Sequence, residues 1–311
     1  MSFIRRVVSK LRGDAHWHDR FQRLEFVMRA EPERQRLLIG ALLARDVAKV
    51  GAVASLSEVE FSVFSQFGDD GIIQWLVHSL EFPNKTFIEF GVTDYRESNT
   101  RFLLMHSNWS GLVMDDSEEM VSAIIGSEYF WKYELSAKAA WIDADNINGL
   151  IAEEHLAKDV GVLHIDLDGN DYWIWRALDV VSPILVILEY NSVFGVDRAI
   201  TVPYDRAFSR ESHYSGLYWG ASLGALQRAS ARKDYAFIGC NSAGNNAYFV
   251  RRDSLNETVR EIALEDGYVA SAFREGRDTE GRLTFATGDD RVEAIRGMPV
   301  YNLDTDHIEE L

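Results

Sequence analysis

The sequence contains a single cysteine, Cys240, among 311 residues. It can form neither an internal disulfide nor a thiolate metal cage. That usage is compatible with a reducing cytoplasm. Positive charge is scarce, with 32 Lys and Arg against 49 Asp and Glu and a formal net charge of -17. A general nucleic-acid binder needs a basic footprint, so nucleic acid is not an expected partner. No apolar run approaches the ~20 residues of a membrane span. The best candidate, VVSPILVIL, is too short and contains Pro183. No small-residue cleavage site follows a long apolar core at the N-terminus, so no secretory signal is expected. Neither an internal repeat nor a low-complexity linker appears. What remains is the composition of a soluble globular protein, 47% hydrophobic and 26% charged, with a cytoplasmic location as the expectation.

One segment departs from the acidic whole. MSFIRRVVSKLRG sets Phe3, Ile4, Val7, Val8 and Leu11 at helical spacing, with Arg5, Arg6, Lys10 and Arg12 between them. Residues 1–12 are thus a candidate for peripheral contact with the anionic inner face of a membrane. The competing reading docks this helix on its own domain or on a partner subunit, as in a homo-oligomer.

The chain divides by texture into 1–60, 61–255 and 256–311. Residues 1–60 read as a helical extension, rich in strong helix formers and without strand-like alternation. From residue 61, short apolar runs alternate with amphipathic stretches, as in an α/β sheet. The expected strands are TFIEFGV (86–92), SGLVMDD (110–116), AAWIDAD (139–145), VGVLHIDLD (160–168) and PILVILEYN (183–191). A helix over 222–233 follows, with Ser222 as N-cap. YAFIGCN and NAYFVRRD, joined by SAGN, then read as an antiparallel hairpin. The extension from 256 onward has a helix-like start and turn chemistry in GRDTEGRLTF. Cover or oligomer contact is its default role.

Polar residues recur at the carboxyl ends of successive strands: Glu89 and Gly91, Asp115 and Asp116, Asp143 and Asp145, Asp166 and Asp168, Glu189 and Asn191. In open α/β sheets the ligand binds beyond those ends, near the switch point of strand order. Five such ends in succession outline a pocket.

FSQFGDDGII (64–73), FIEFGVTDYRESNT (87–100) and NWSGLVMDD (108–116) together resemble the FkbM-type methyltransferases and related sugar or glycan methyltransferases. The resemblance covers roughly 61–252. It departs from the family pattern in Asp115-Asp116 where a Glu is common, in a sparse glycine loop, and in the acid-rich DLDGND. It implies a Rossmann-like class I methyltransferase sheet, mostly parallel with an antiparallel C-terminal hairpin. It also implies S-adenosyl-L-methionine as cofactor and O-methylation of a sugar or glycan acceptor.

Placed on this sequence, the class I site assigns Glu89, Gly91, Asn99 and Thr100 to the methionine end of the cofactor. Gln66 and Asp70 join them if the upstream segment folds over the pocket. Asp115 or Asp116 would take the ribose diol and Asp143 the adenine edge. Ordinary helix capping competes at Asp116 and Asp145. Asp166, Asp168, Glu189 and Asn191 are four oxygen donors suited to Mg²⁺ or Mn²⁺, with a metal-free polar lining as the alternative. On an extended strand Asp166 and Asp168 would share a face, while Asp171 would cap the following helix. Asp166 and His213 are the candidate catalytic residues, His213 because the long loop 201–220 should cross the pocket mouth. His164, deeper on the face of Asp166, reads as a satisfied core histidine.

Two other classes compete. Asp166-Leu167-Asp168 matches the short Asp-x-Asp signature of metal-dependent glycosyltransferases that use a nucleotide sugar. A non-catalytic relative of the fold could scaffold a partner, since fold does not fix function. The acid ending the second strand and the hairpin after the fifth favour the methyltransferase over the first. The charge concentrated in one crevice argues against the second.

Overall fold

The computed structural model describes residues 31–311. The basic segment 1–12 lies outside the described residues. A helix over 31–47 (α1) packs Ala44 with Val63, Phe64 and Phe102, and the Arg101–Glu33 ion pair ties it down. Among the described residues, the remainder of the expected helical extension, 48–60, is turn and irregular chain with a short 3₁₀ segment, Leu56–Val59, capped by Ser55.

Helix α2 (Asp69–Ser79) leads into strand β1 (Thr86–Phe90), helix α3 (Arg101–Ser107) and strand β2 (Ser110–Asp115). Then come α4 (Glu118–Ile125), α5 (Glu128–Lys132), β3 (Leu135–Ala139), α6 (Ile147–Ala152) and β4 (Val162–Ile165). The chain continues through α7 (Asp171–Ala177), β5 (Leu185–Glu189), the two-residue β6 (Ile200–Thr201) and α8 (Leu223–Arg232). Strands β7 (Tyr235–Cys240) and β8 (Asn246–Arg251) form the hairpin. Near the C-terminus lie β9 (Pro299–Asn302) and β10 (His307–Glu310).

Seven strands form one sheet in the order β3-β2-β1-β4-β5-β8-β7. The first five are mutually parallel, β8 runs antiparallel to β5, and β7, antiparallel to β8, returns to the direction of the first five. This is the expected Rossmann-like arrangement, and order reverses between β1 and β4. Central parallel strands are covered on both faces, which is why β1, β4 and β5 read as apolar runs. Ile72, Trp75 and Leu76 of α2 and Leu103 and Leu104 of α3 pack on one face. Ile147 and Ile151 of α6, Ile174 and Trp175 of α7 and Leu226 of α8 pack on the other. Ser222 caps α8 as expected, accepting from the Ala225 amide at 3.2 Å.

Two features differ from the sequence reading. The third strand is Leu135–Ala139, upstream of the expected 139–145. It is an edge strand, largely uncovered, so no apolar run marks it. A second sheet, β10-β9-β6, joins the C-terminal segment to a strand of the 61–255 region. The expected helix-like start after 256 is instead irregular chain with a bend at 257–259, and α9 (Leu264–Gly267) is only four residues long. Among the described residues no helix is long and apolar enough to cross a membrane.

Candidate active site

Strand alternation decides what the carboxyl end of the sheet presents. Phe87, Val162, Leu185, Ile187, Tyr248 and Val250 face the α2 side. By the two-residue period, Glu89, His164, Glu189 and Asn246 face that side too. Register pairs Glu89 with His164 and Glu189 with Asn246. The apolar face of the sheet therefore ends in a buried polar seam, above which lies a cavity of about 770 Å³.

Glu89 organises the β1 end. Its carboxylate accepts from Ser98 Oγ (2.5 Å), the Asn99 amide (2.9 Å), the Thr100 amide (3.1 Å), Thr100 Oγ1 (2.5 Å) and His164 Nδ1 (2.9 Å). Burial pushes the Glu89 carboxyl up, but these donors and the charge of His164 outweigh it, and the group lies below its usual value. His164 is fully enclosed. Burial opposes its protonation, yet Glu89, with Asp166 and Asp69 nearby, leaves it above the usual histidine value. Its Nε2 lies 3.2 Å from Asn99 Nδ2. That contact suits the neutral ring, and a half-turn of the Asn99 amide suits the charged one. Glu89 thus fixes the loop 98–100 from beneath.

Gly91 brings that loop against β4. Its φ is +71°, and a β-carbon there would stand 1.8 Å from the Asp166 carbonyl oxygen. Asp115 ends β2 with one carboxylate oxygen accepting from the Thr93 amide (2.7 Å) and the other from the Ser117 amide (3.0 Å). Burial raises its pKa despite those bonds. Asp115, Asp116, Met120, Trp141 and Ile142 line the cavity beside β2 and β3. Trp141 is 52% exposed, unusual for a tryptophan, with Nε1 fixed on the Arg206 carbonyl at 2.9 Å.

The opposite wall is acidic. One carboxylate oxygen from each of Asp166, Asp168 and Glu189 lies within 4.8 Å of the others. Strand alternation is not what brings Asp166 and Asp168 together. β4 ends at Ile165, and Asp168 has φ +52°. Asp171 holds that turn, accepting from the Leu167 (2.8 Å) and Gly169 (3.0 Å) amides. Burial and the neighbouring Asp166 push the Asp171 carboxyl up to about 7. Glu189 is held well above the usual carboxylate value, first by burial and then by Asp166 and Asp168. Its Oε2 has no hydrogen-bond partner among the described residues. Burial also raises Asp166. Arg210 stands against this group, 2.8 Å from Asp168 and stacked over Trp219 at 4.5 Å. Three hard carboxylate oxygens gathered in this way fit a Mg²⁺- or Mn²⁺-sized cation.

Of the residues singled out in the sequence, Gln66, Glu89, Gly91, Asn99, Asp115, Asp116, Asp166, Asp168 and Glu189 line this one cavity. Thr100 stands beneath it as a donor to Glu89. Asp70 does not line it. Its carboxylate is buried, accepts from the Val63, Phe64 and Ser65 amides at 2.7–2.8 Å, and is raised to about 6 by burial. Its neighbour Asp69 lines the cavity instead, holding Asn246 Nδ2 (3.0 Å) and Tyr248 OH (2.5 Å). Asp143 holds the turn before α6, accepting from the Asp145 and Asn146 amides, and pairs with Arg206, off the cavity wall. Asn191 is removed from the acidic group by its own bonds. Its Nδ2 donates to the Leu217 and Trp219 carbonyls and its Oδ1 accepts from Val193. His213 does not line the cavity either; Nδ1 contacts Ser215 Oγ at 2.8 Å, and burial lowers its pKa.

Sequence reasoning missed Arg210, Trp141, Asp69 and Asn246. Asn246 was reachable, because a hairpin strand placed beside β5 must set its first residue at the carboxyl end. Arg210 and Trp141 carry no local signal.

Neither a protein-family model nor a curated relative matches the sequence. Solved structures give distant likenesses. An O-methyltransferase family protein from Burkholderia thailandensis is 10% identical, with a TM-score of 0.37 over 72% of this chain and 59% of its own. The chain thus spans less than two thirds of that protein. The N-terminal domain of EvdMO1 with SAH bound is 11% identical, with a TM-score of 0.40 over 71% of this chain and 94% of its own. An S-adenosylmethionine-dependent methyltransferase from Clostridium acetobutylicum is 12% identical, with a TM-score of 0.36 over 58% of this chain and 89% of its own. At this distance the likenesses assign no chemistry, and the fold rests on the strand order.

Proposed function

We propose that the protein is an S-adenosylmethionine-dependent O-methyltransferase of FkbM type, acting on a hydroxyl of a sugar or glycan. One observation carries the reading. At the switch point of the sheet, a single cavity joins a glycine loop and the acid ending β2 to an acidic wall at β4 and β5. The first half suits a nucleoside-bearing cofactor and the second a hydroxyl that must lose its proton. The sugar as acceptor rests on the sequence resemblance.

S-adenosylmethionine supplies the methyl group as a sulfonium. In the proposed mechanism, Asp115 accepts the ribose hydroxyls while its backbone bonds keep it aimed. The loop fixed by Glu89 offers backbone groups to the methionine end, and Gly91 admits close approach. Trp141 and Ile142 flank the adenine. The acceptor oxygen forms a bond to the methyl carbon as the sulfur–carbon bond breaks. Its proton passes to Asp166, whose burial makes the carboxylate a stronger base than an exposed one. Asp166, Asp168 and Glu189 would hold a divalent cation, whose chemistry is to acidify a bound hydroxyl. Positioning supplies much of the rate.

The test is transfer of a ¹³C-methyl group from labelled S-adenosylmethionine into a pool of mono- and oligosaccharides, read by mass spectrometry and NMR. The expected product is an O-methyl sugar. Label found only on carbon or nitrogen, or none transferred by protein that binds the cofactor, would contradict the acceptor class.

A further inference from the structure

A second cavity, of about 510 Å³, opens from the first through Gln66, Phe67, Glu189, Arg210 and Asn245, which line both. Its outer wall comes from the C-terminal extension: Ser271, Phe273, Arg274, Glu275 and Arg291. Phe67 and Phe273, from opposite ends of the chain, stack at 4.9 Å and 25°. They give the passage a flat apolar edge.

In a chain of net charge -17, three arginines, Arg210, Arg274 and Arg291, line this one cavity against two carboxylates, Glu189 and Glu275. Glu275 serves two of them, 3.3 Å from Arg291 and 3.6 Å from Arg210. Arg291 is 7% exposed; it donates to the Ser271 carbonyl, and its Nε has no partner among the described residues. Trp219, also on this wall, is 5% exposed and its Nε1 is likewise unpartnered. Both nitrogens are buried beneath the cavity surface, so a ligand would meet the guanidinium groups that line the cavity rather than these two donors. Guanidinium groups match the planar geometry of carboxylate and phosphate oxygens.

We infer that this second cavity holds an anionic group, a carboxylate or phosphate, carried by the methyl acceptor beyond its reacting hydroxyl. The inference rests on the methyltransferase reading for the word acceptor, but the anion site stands on its own lining. Arg210 spans the two cavities, contacting Asp168 in one and Glu275 in the other. It therefore places the anion next to the acidic wall.

The experiment is calorimetric titration at low salt with glucuronate, glucose 6-phosphate and glucose, on the wild type and on Arg274→Glu. Arg274 is exposed on the cavity wall, so the variant should fold. An Arg291→Lys variant, which keeps the charge but loses the fork, is the second probe. The expected result is that at least one anionic sugar binds tenfold or more tightly than glucose. Arg274→Glu should abolish that preference, and Arg291→Lys should weaken it severalfold. The carboxylate and phosphate arms identify which anion fits. Equal binding of charged and neutral sugars, no binding of either anion, or an undiminished preference in Arg274→Glu would overturn the inference. S-adenosylhomocysteine titrated into the wild type reports separately on the methyltransferase reading, so the two can fail independently.

Discussion

Gly91 and Asp166 meet backbone to backbone at the switch point: a β-carbon on Gly91 would lie 1.8 Å from the Asp166 carbonyl oxygen. Gly91→Ala must therefore part β1 from β4 where the cavity opens. The left-handed conformation alone costs an alanine about 1–2 kcal/mol, and the clash adds to it. A chemical melt should show the lost stability, and calorimetry should show loss of S-adenosylhomocysteine binding. A variant that keeps both would show that this approach is dispensable.

Glu89→Gln places a donor among five donors. Leaving the partners of a buried charge unmatched costs of order 3 kcal/mol, so the variant should melt markedly earlier. The pH sign follows from the directions. Glu89 lies below its usual value, so its stabilisation is present at neutral pH and is lost as pH falls through the lowered value. His164 lies above its usual value, so its contribution is complete in mild acid and fades as pH rises through the raised value. NMR titration of the His164 ring should give a pKa above the ordinary 6.5, falling in Glu89→Gln.

Glu189 is expected to behave in the opposite sense. Its raised folded pKa means that stability declines as pH rises from the ordinary carboxylate value towards the folded one. Glu189→Gln imitates the protonated acid and should flatten that decline, making the metal-free protein more stable at neutral pH. The same variant should lose any rise in melting temperature given by Mg²⁺ or Mn²⁺. Scanning calorimetry across pH 5–8, with and without the ions, reads both effects; a variant less stable at neutral pH would contradict the assignment.

Asp115 and Asp116 are adjacent but differ in their bonds. Asp115→Asn removes a charged acceptor, worth about 1.5–3 kcal/mol, or roughly ten- to hundredfold in Kd for S-adenosylhomocysteine. Asp116→Asn should change it little. Equal losses would assign the ribose to both.

His213→Ala should leave methyl transfer within about twofold of wild type, because its ring lies off the cavity wall and is bonded to Ser215. A pH–rate profile that loses its basic limb in this variant would place His213 in the reaction.

The central strands were legible because burial on both faces writes an apolar run into β1, β4 and β5. β3 was not: LSAKA is an edge strand with only Leu135 buried, and the apolar pair Trp141 and Ile142 that drew attention lies beyond it, on the cavity wall. The two-residue β6 and the exposed β10 have no period to read. At the site, polar residues ending successive strands did mark the cavity. Which acid faces it was not legible, because local capping decides. Asp143 and Asn191 satisfy nearby amides and carbonyls, whereas Asp166 and Glu189 have no such partners within reach. Asp168 joins them through a left-handed turn rather than by strand alternation, and Arg210 arrives from a loop with no pattern.

The most direct measurement is a thermal-shift comparison of S-adenosylhomocysteine with UDP and GDP, each with and without Mg²⁺ or Mn²⁺. A ligand bound only by the folded state raises the melting temperature by mass action. The expected result is a rise with S-adenosylhomocysteine that does not require metal and is reduced in Asp115→Asn. A rise only with a nucleotide plus metal, lost in Asp168→Ala, would contradict it and make the protein a glycosyltransferase.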